Sequence, residues 1–211
     1  MVLDRLTLRI EPGQLTAVVG RSGAGKTTLL RILGGLDLPD GGELTIDGHS
    51  LRGWGEEALD AMRRARIGYL PQEPSPVGFL SVEEYVVLAL RLRGFDRARA
   101  RACTAAVLGQ LAIGHRRGQR LARLSAGESQ RAALARALAS AGGLLIVDEP
   151  TSRLDRATAE RVAQVLHDAA ATQRQTVVCA THDPDVIRWA DQVIELPAVT
   201  APLAPVDSDG R

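Results

Sequence analysis

The chain has 211 residues, 45% of them hydrophobic, and its 26 Lys+Arg against 25 Asp+Glu leave a formal charge of +1. Such a balance argues against the broad basic face that nucleic acid or an anionic lipid surface needs, so no nucleic-acid partner is expected. Two each of Phe, Trp and Tyr leave the core to aliphatic side chains, and the length suits one large α/β domain or one domain with an insert. No apolar run reaches the 18 residues of a membrane span, and the N-terminus lacks the residue order of a signal peptide, so a cytoplasmic chain is expected. Cys103 and Cys179 form no CxxC pair, and His49, His115, His167 and His182 are too scattered for a zinc site. Of the 26 cationic residues 25 are Arg; Lys26 is the one lysine.

In chain order, Leu6, Leu8 and Ile10 alternate with polar residues and predict an edge strand. Pro12-Gly13 turns the chain into residues 15–19, a run apolar enough for a central strand buried on both faces. A helix is predicted from 26 to about 33, ending at Gly34-Gly35. Short strands follow over 43–47 and 66–70. From 81 to 140 apolar residues recur at helical spacing with no strand between, which predicts an inserted helical subdomain. Two further buried strands, 144–147 and 176–179, flank a helix over about 155–171, and strand alternating with helix implies a mainly parallel sheet. Residues 1–196 are thus expected to form one domain with an N-terminal antiparallel β part, and the proline-rich 197–211 a disordered tail.

Between the strand 15–19 and its helix stand Gly20-Arg21-Ser22-Gly23-Ala24-Gly25-Lys26-Thr27-Thr28, which satisfy GxxxxGK[ST] in the context that the motif requires. The glycines let the backbone wrap a phosphate with its N–H groups turned inward, and the helix N-terminus adds a positive dipole. Lys26 would reach the β- and γ-phosphates of a nucleotide, and the Thr27 hydroxyl would ligate Mg²⁺. The strand 144–147 runs into Asp148-Glu149-Pro150. Because a parallel sheet delivers its strand C-termini to one edge, Asp148 is expected beside the cradle as a metal carboxylate. Glu149 would point elsewhere, free to accept a proton from an attacking water.

Leu124-Ser125-Ala126-Gly127-Glu128, followed by a helix containing Gln130-Arg131, adds the diagnostic element. With it the sequence resembles the nucleotide-binding subunit of ABC (ATP-binding cassette) transporters over nearly its whole length to about Leu196. The resemblance implies a P-loop fold, ATP and Mg²⁺ as ligands, and two domains packed head to tail. Ser125, Ala126, Gly127 and Glu128 of one domain would then close over ATP held by the cradle of the other. Ala126 and Glu128 depart from the commonest pattern, which has Gly and Gln there. Read without the family, Ser125 with Glu128 is also a capping box.

Other family positions match by the same resemblance. Gln72 corresponds to the loop glutamine that touches Mg²⁺ or the attacking water and transmits the state of the site to the helical insert. Ser152-Arg153-Leu154-Asp155 corresponds to the loop through which paired sites sense each other, with Arg153 replacing the usual Ala. His182, in Thr181-His182-Asp183, corresponds to the switch histidine that contacts the γ-phosphate and holds Glu149 and water in line. Family members usually carry, upstream of where Leu3 stands, an aromatic side chain that stacks on adenine. Here only Met1 and Val2 precede Leu3, so either the start lies further upstream or another side chain covers the base.

The function implied is an ATPase subunit that dimerises on ATP and drives a separate permease, held through that permease on the inner face of the cell membrane. The stretch from Thr181 to Leu196 resembles the compact subunits of lipoprotein-release and macrolide-export systems. Two alternatives stay open: a soluble mechanochemical ATPase of the same superfamily, and a regulatory partner that closes on ATP without turnover.

Overall fold

A computed structural model describes residues 3–75 and 77–197. Along the chain run β1 (Leu15–Val19), α1 (Lys26–Leu33), the hairpin strands β2 (Thr45–Ile46) and β3 (His49–Ser50), α2 (Glu56–Arg66) and β4 (Ile67–Leu70). Then come α3 (Val82–Leu92), α4 (Arg97–Gln110), two 3₁₀ turns (Gly114–Arg116 and Leu121–Arg123) and α5 (Ala126–Ser140). The last elements are β5 (Leu144–Asp148), α6 (Arg156–Ala171), β6 (Thr176–Ala180), α7 (Pro184–Trp189) and β7 (Gln192–Glu195).

The valine-, leucine- and isoleucine-rich runs form the middle of a five-stranded parallel sheet in the order β4-β5-β6-β1-β7, with β2 and β3 as a separate antiparallel pair. Both faces of this sheet are covered, as continuous apolar strands require. Leu145, Val147, Val177 and Cys179 join the core with α3 to α6, whereas Ile146 and Val178 face α1 with Leu29 and Leu30. Burial there pushes the Cys179 thiol well above its ordinary pKa, the state of an inert packing residue.

Register fixes where the functional loops leave the sheet. Leu70 pairs with Val147, Asp148 with Ala180, and Val18 with Ala180. The residues that follow these strands, Gln72, Glu149, His182 and the loop from Gly20, therefore emerge along one edge. Helix α5 packs on the same sheet with almost nothing between: a Cβ on Gly68 would lie 2.1 Å from the Ala137 carbonyl oxygen. Only glycine fits at that point of β4.

Several expectations need correction. Leu6, Leu8 and Ile10 pair with no strand; they rest partly buried on the α1-side core. Their alternation records one-sided burial, which an extended unpaired segment satisfies as well as an edge strand does. The strand expected over 43–47 shrinks to Thr45–Ile46, and Arg66 closes a helix rather than opening a strand. That helix, α2, is mostly charged and buries only Leu59, so it reads as a polar stretch, although Glu56 and Glu57 at its start and Arg63, Arg64 and Arg66 at its end fit the helix dipole. The short α7 and β7 also add to the elements expected from sequence; Pro at the start of α7 and the Asp183 cap are the local signals of that helix. Apart from Pro197, the tail expected over 197–211 lies outside the described residues. Among the described residues no helix is long and apolar enough to cross a membrane.

Candidate functional site

The loop after β1 reaches α1 through Gly23 and Gly25, whose φ values of 81° and 91° are left-handed and suit glycine. Gly25 is the N-cap of α1, makes no side-chain cap bond, and leaves the first N–H groups of the helix facing the loop. The Lys26 ammonium donates to the carbonyl of Gly20 at 2.8 Å and of Arg21 at 3.4 Å, inside the curl of the backbone. A cleft of about 630 Å³ opens there.

Of the residues singled out from sequence, Gly20, Ser22, Gly23, Gly25, Lys26, Thr27, Thr28, Gln72, Asp148, Glu149 and His182 all line this cleft. Arg21 is exposed, and Ala24 is buried against Val18 and Leu29, so these two loop positions serve the turn rather than the cavity. The Thr27 hydroxyl donates to Asp148 at 2.7 Å. Burial pushes the Asp148 carboxyl above its ordinary pKa and the nearby Glu149 adds to this, while the Thr27 bond and the Lys26 charge oppose it. A buried carboxylate beside a hydroxyl, close to a Lys cation, is a hard-oxygen site short of positive charge.

Glu149 follows at φ 49°, a left-handed turn that aims its side chain away from Asp148 and toward β6. Its carboxylate meets His182 Nδ1, at 3.0 Å from Oε1 and 2.9 Å from Oε2. The Glu149 side chain is 9% exposed and that of His182 77%, so a buried acceptor is gripped by an imidazole that can turn with whatever enters the cleft. Glu149 Oε2 is itself buried, and the same His182 Nδ1 lies beside it, so one imidazole nitrogen spans both carboxylate oxygens.

The second cluster of predicted residues lies outside this cleft. Ser125 caps α5, accepting from the Glu128 N–H at 3.2 Å while Glu128 accepts from the Ser125 N–H at 2.9 Å. Glu128 also pairs with Arg116 at 2.7 Å, and these bonds hold its carboxyl down at about 2. The acid is thereby compensated locally, which suits a position where an anion is expected to approach. Ser125 and Ala126 are exposed. Asp155 caps α6 through Thr158 N–H at 3.0 Å. Ser152, which no motif of the sequence singles out beyond its loop, lines the cleft and donates to the Glu149 carbonyl at 3.1 Å.

A parallel sheet that brings a glycine-rich loop, a helix N-terminus, one lysine and a buried carboxylate to the same edge is a P-loop nucleotide-binding fold. The family model described as ABC transporter matches residues 3–152, and the chain belongs to the ABC transporter family. It is 40% identical over 195 residues to the lipoprotein-releasing system ATP-binding protein LolD of Chromohalobacter salexigens, covering 92% of this chain and 82% of that protein. Its similarity to LolD of Cereibacter sphaeroides is also 40%, over 93% of this chain and 88% of the relative. Among solved structures, the dimeric structure of the bacterial ABC transporter cassette MJ0796 superposes with a TM-score of 0.87 at 32% identity, covering 92% of this chain and 86% of that one. A post-hydrolysis state of the same cassette, bound to ADP and Pi, matches equally well.

Proposed function

We propose that this chain is the ATP-hydrolysing subunit of an ABC transporter, which pairs head to tail with a second cassette and drives a separate membrane permease. The observation that carries the reading is the joining of two local pairs, Thr27 with Asp148 and Glu149 with His182, at one mouth of the phosphate cradle. Glu149 orients a water for attack on the γ-phosphorus and accepts its proton as the bond to the β-phosphate oxygen breaks. His182 holds that carboxylate and, being exposed, follows the γ-phosphate. Lys26 leaves the Gly20 and Arg21 carbonyls for the β- and γ-phosphates. Thr27, Asp148 and Gln72 are the residues that would hold Mg²⁺, which when bound supplies charge neutralisation for the leaving diphosphate.

Ser125, the Gly127 N–H and the start of α5 make a second anion site, and none of them lines the chain's own cleft. It has a use only when a second subunit presents its nucleotide. Asp155, on the loop that follows Glu149, is assigned to the same interface. Similarity to LolD at 40% identity supports a lipoprotein-releasing system and a peripheral place on the cytoplasmic face through the permease, ahead of a soluble mechanochemical or purely regulatory role.

Copurification of the tagged chain from gently solubilised membranes tests this reading. A specific multi-span protein is the expected companion; recovery of the chain alone would overturn the transporter assignment. Ser125→Arg is expected to block ATP-driven dimers, seen by light scattering, with nucleotide binding by the single subunit intact. Loss of that binding would place Ser125 in its own subunit's site instead.

A further inference from the structure

Glu149 occupies a backbone conformation that a glutamate seldom takes, with φ at 49° and Pro150 restricting it further. Such a residue persists only where its surroundings over-determine it. Its N–H donates to the Ala180 carbonyl at 2.9 Å. Its own carbonyl receives the Ser152 hydroxyl at 3.1 Å, the Ser152 N–H at 3.4 Å and the side-chain amide of Gln130 at 3.3 Å. Two of these donors belong to the turn that Glu149 itself starts. Gln130 reaches it from another element, the second turn of α5.

Gln130 is an odd occupant of its site. It is 1% exposed, on a helix whose other buried residues are all alanine or leucine, and its Oε1 has no hydrogen-bond partner among the described residues. An apolar side chain of the same length would pack there without stranding an acceptor, so the amide is retained for its one bond. A second contact ties the same two segments together: a Cβ on Gly127 would lie 3.0 Å from the Arg153 carbonyl oxygen. The first two turns of α5 thus hold both ends of the loop from Glu149 to Arg153.

We infer that Gln130 is a positioning residue, which keeps Glu149 in its left-handed turn and in line with the attacking water, and does so from the helix whose N-terminus grips the partner's nucleotide. This rests on the assignment of Glu149 as the base. Closure of α5 on the neighbouring ATP is then felt at the chain's own Glu149 through one amide, five residues and about 7.5 Å along the helix from Ser125.

Gln130→Met keeps the length and removes the donor. Turnover is expected to fall about ten- to a hundredfold, with KM for ATP and the thermal midpoint near those of the wild type. In a Glu149→Gln background, where no proton is accepted, the same change is expected to leave ATP-driven dimers undiminished. Unchanged turnover overturns the inference; so does loss of dimers in the double variant, which would make Gln130 part of the grip rather than of the base. If Gln130→Met is recovered unfolded, Gln130→Asn, one methylene too short to reach the carbonyl, carries the same expectations. Absence of ATP hydrolysis by the wild type, or normal turnover by Glu149→Gln, would instead remove the assignment of the base itself.

Discussion

Glu149→Gln is expected to lower steady-state ATP turnover by about 10²–10⁴-fold while ATP-dependent pairing of the subunits persists. The amide is nearly isosteric and can keep a hydrogen bond to His182, so the cleft retains its shape; what it loses is an oxygen able to take a proton. The carboxylate, whose two oxygens lie 3.0 and 2.9 Å from His182 Nδ1, is the group at stake. Phosphate release reads the first effect and light scattering the second. Turnover that survives the change would remove Glu149 as base and leave water activation to the phosphate itself.

Lys26→Arg is expected to cost most of the ATPase activity, on the order of tenfold or more, although both side chains are cationic. An ammonium 2.8 Å from the Gly20 carbonyl fits inside the loop, where its three donors can turn from carbonyls to phosphates. A planar guanidinium is wider and presents a fixed fork, so it must either open the loop or stay outside it. Composition sharpens the point: arginine fills 25 of the 26 cationic positions, and this one keeps lysine. Hydrolysis and nucleotide binding measured together separate a lost grip from a misplaced phosphate, and near-normal turnover would refute the steric account.

The cradle and its two carboxylates could be read from sequence because each is a short segment fixed to the end of an apolar strand; the histidine shares that placement, but its part came only with the family resemblance. Once Leu15–Val19, Leu144–Asp148 and Thr176–Ala180 are parallel neighbours, their next residues must share an edge. What stayed hidden depends on contacts across the chain or on how little of an element is buried. Helix α2 buries one leucine, and the segment around Leu8 has a strand's alternation without a strand's partner. Nothing local marks Glu149 as left-handed, and nothing in Gln130 tells which carbonyl, 19 residues on, it will meet. The spacing of a motif shows where a functional group is anchored; its orientation is set by the packing of distant elements.

The glycine at position 68 has a mechanical consequence. Where helix and strand touch main chain to main chain, no layer of side chains is left to shear, so α5 and β4 behave as one stiff piece. Whatever load the head of α5 takes at Ser125 is therefore passed to β4 without slack, and β4 ends two residues before Gln72.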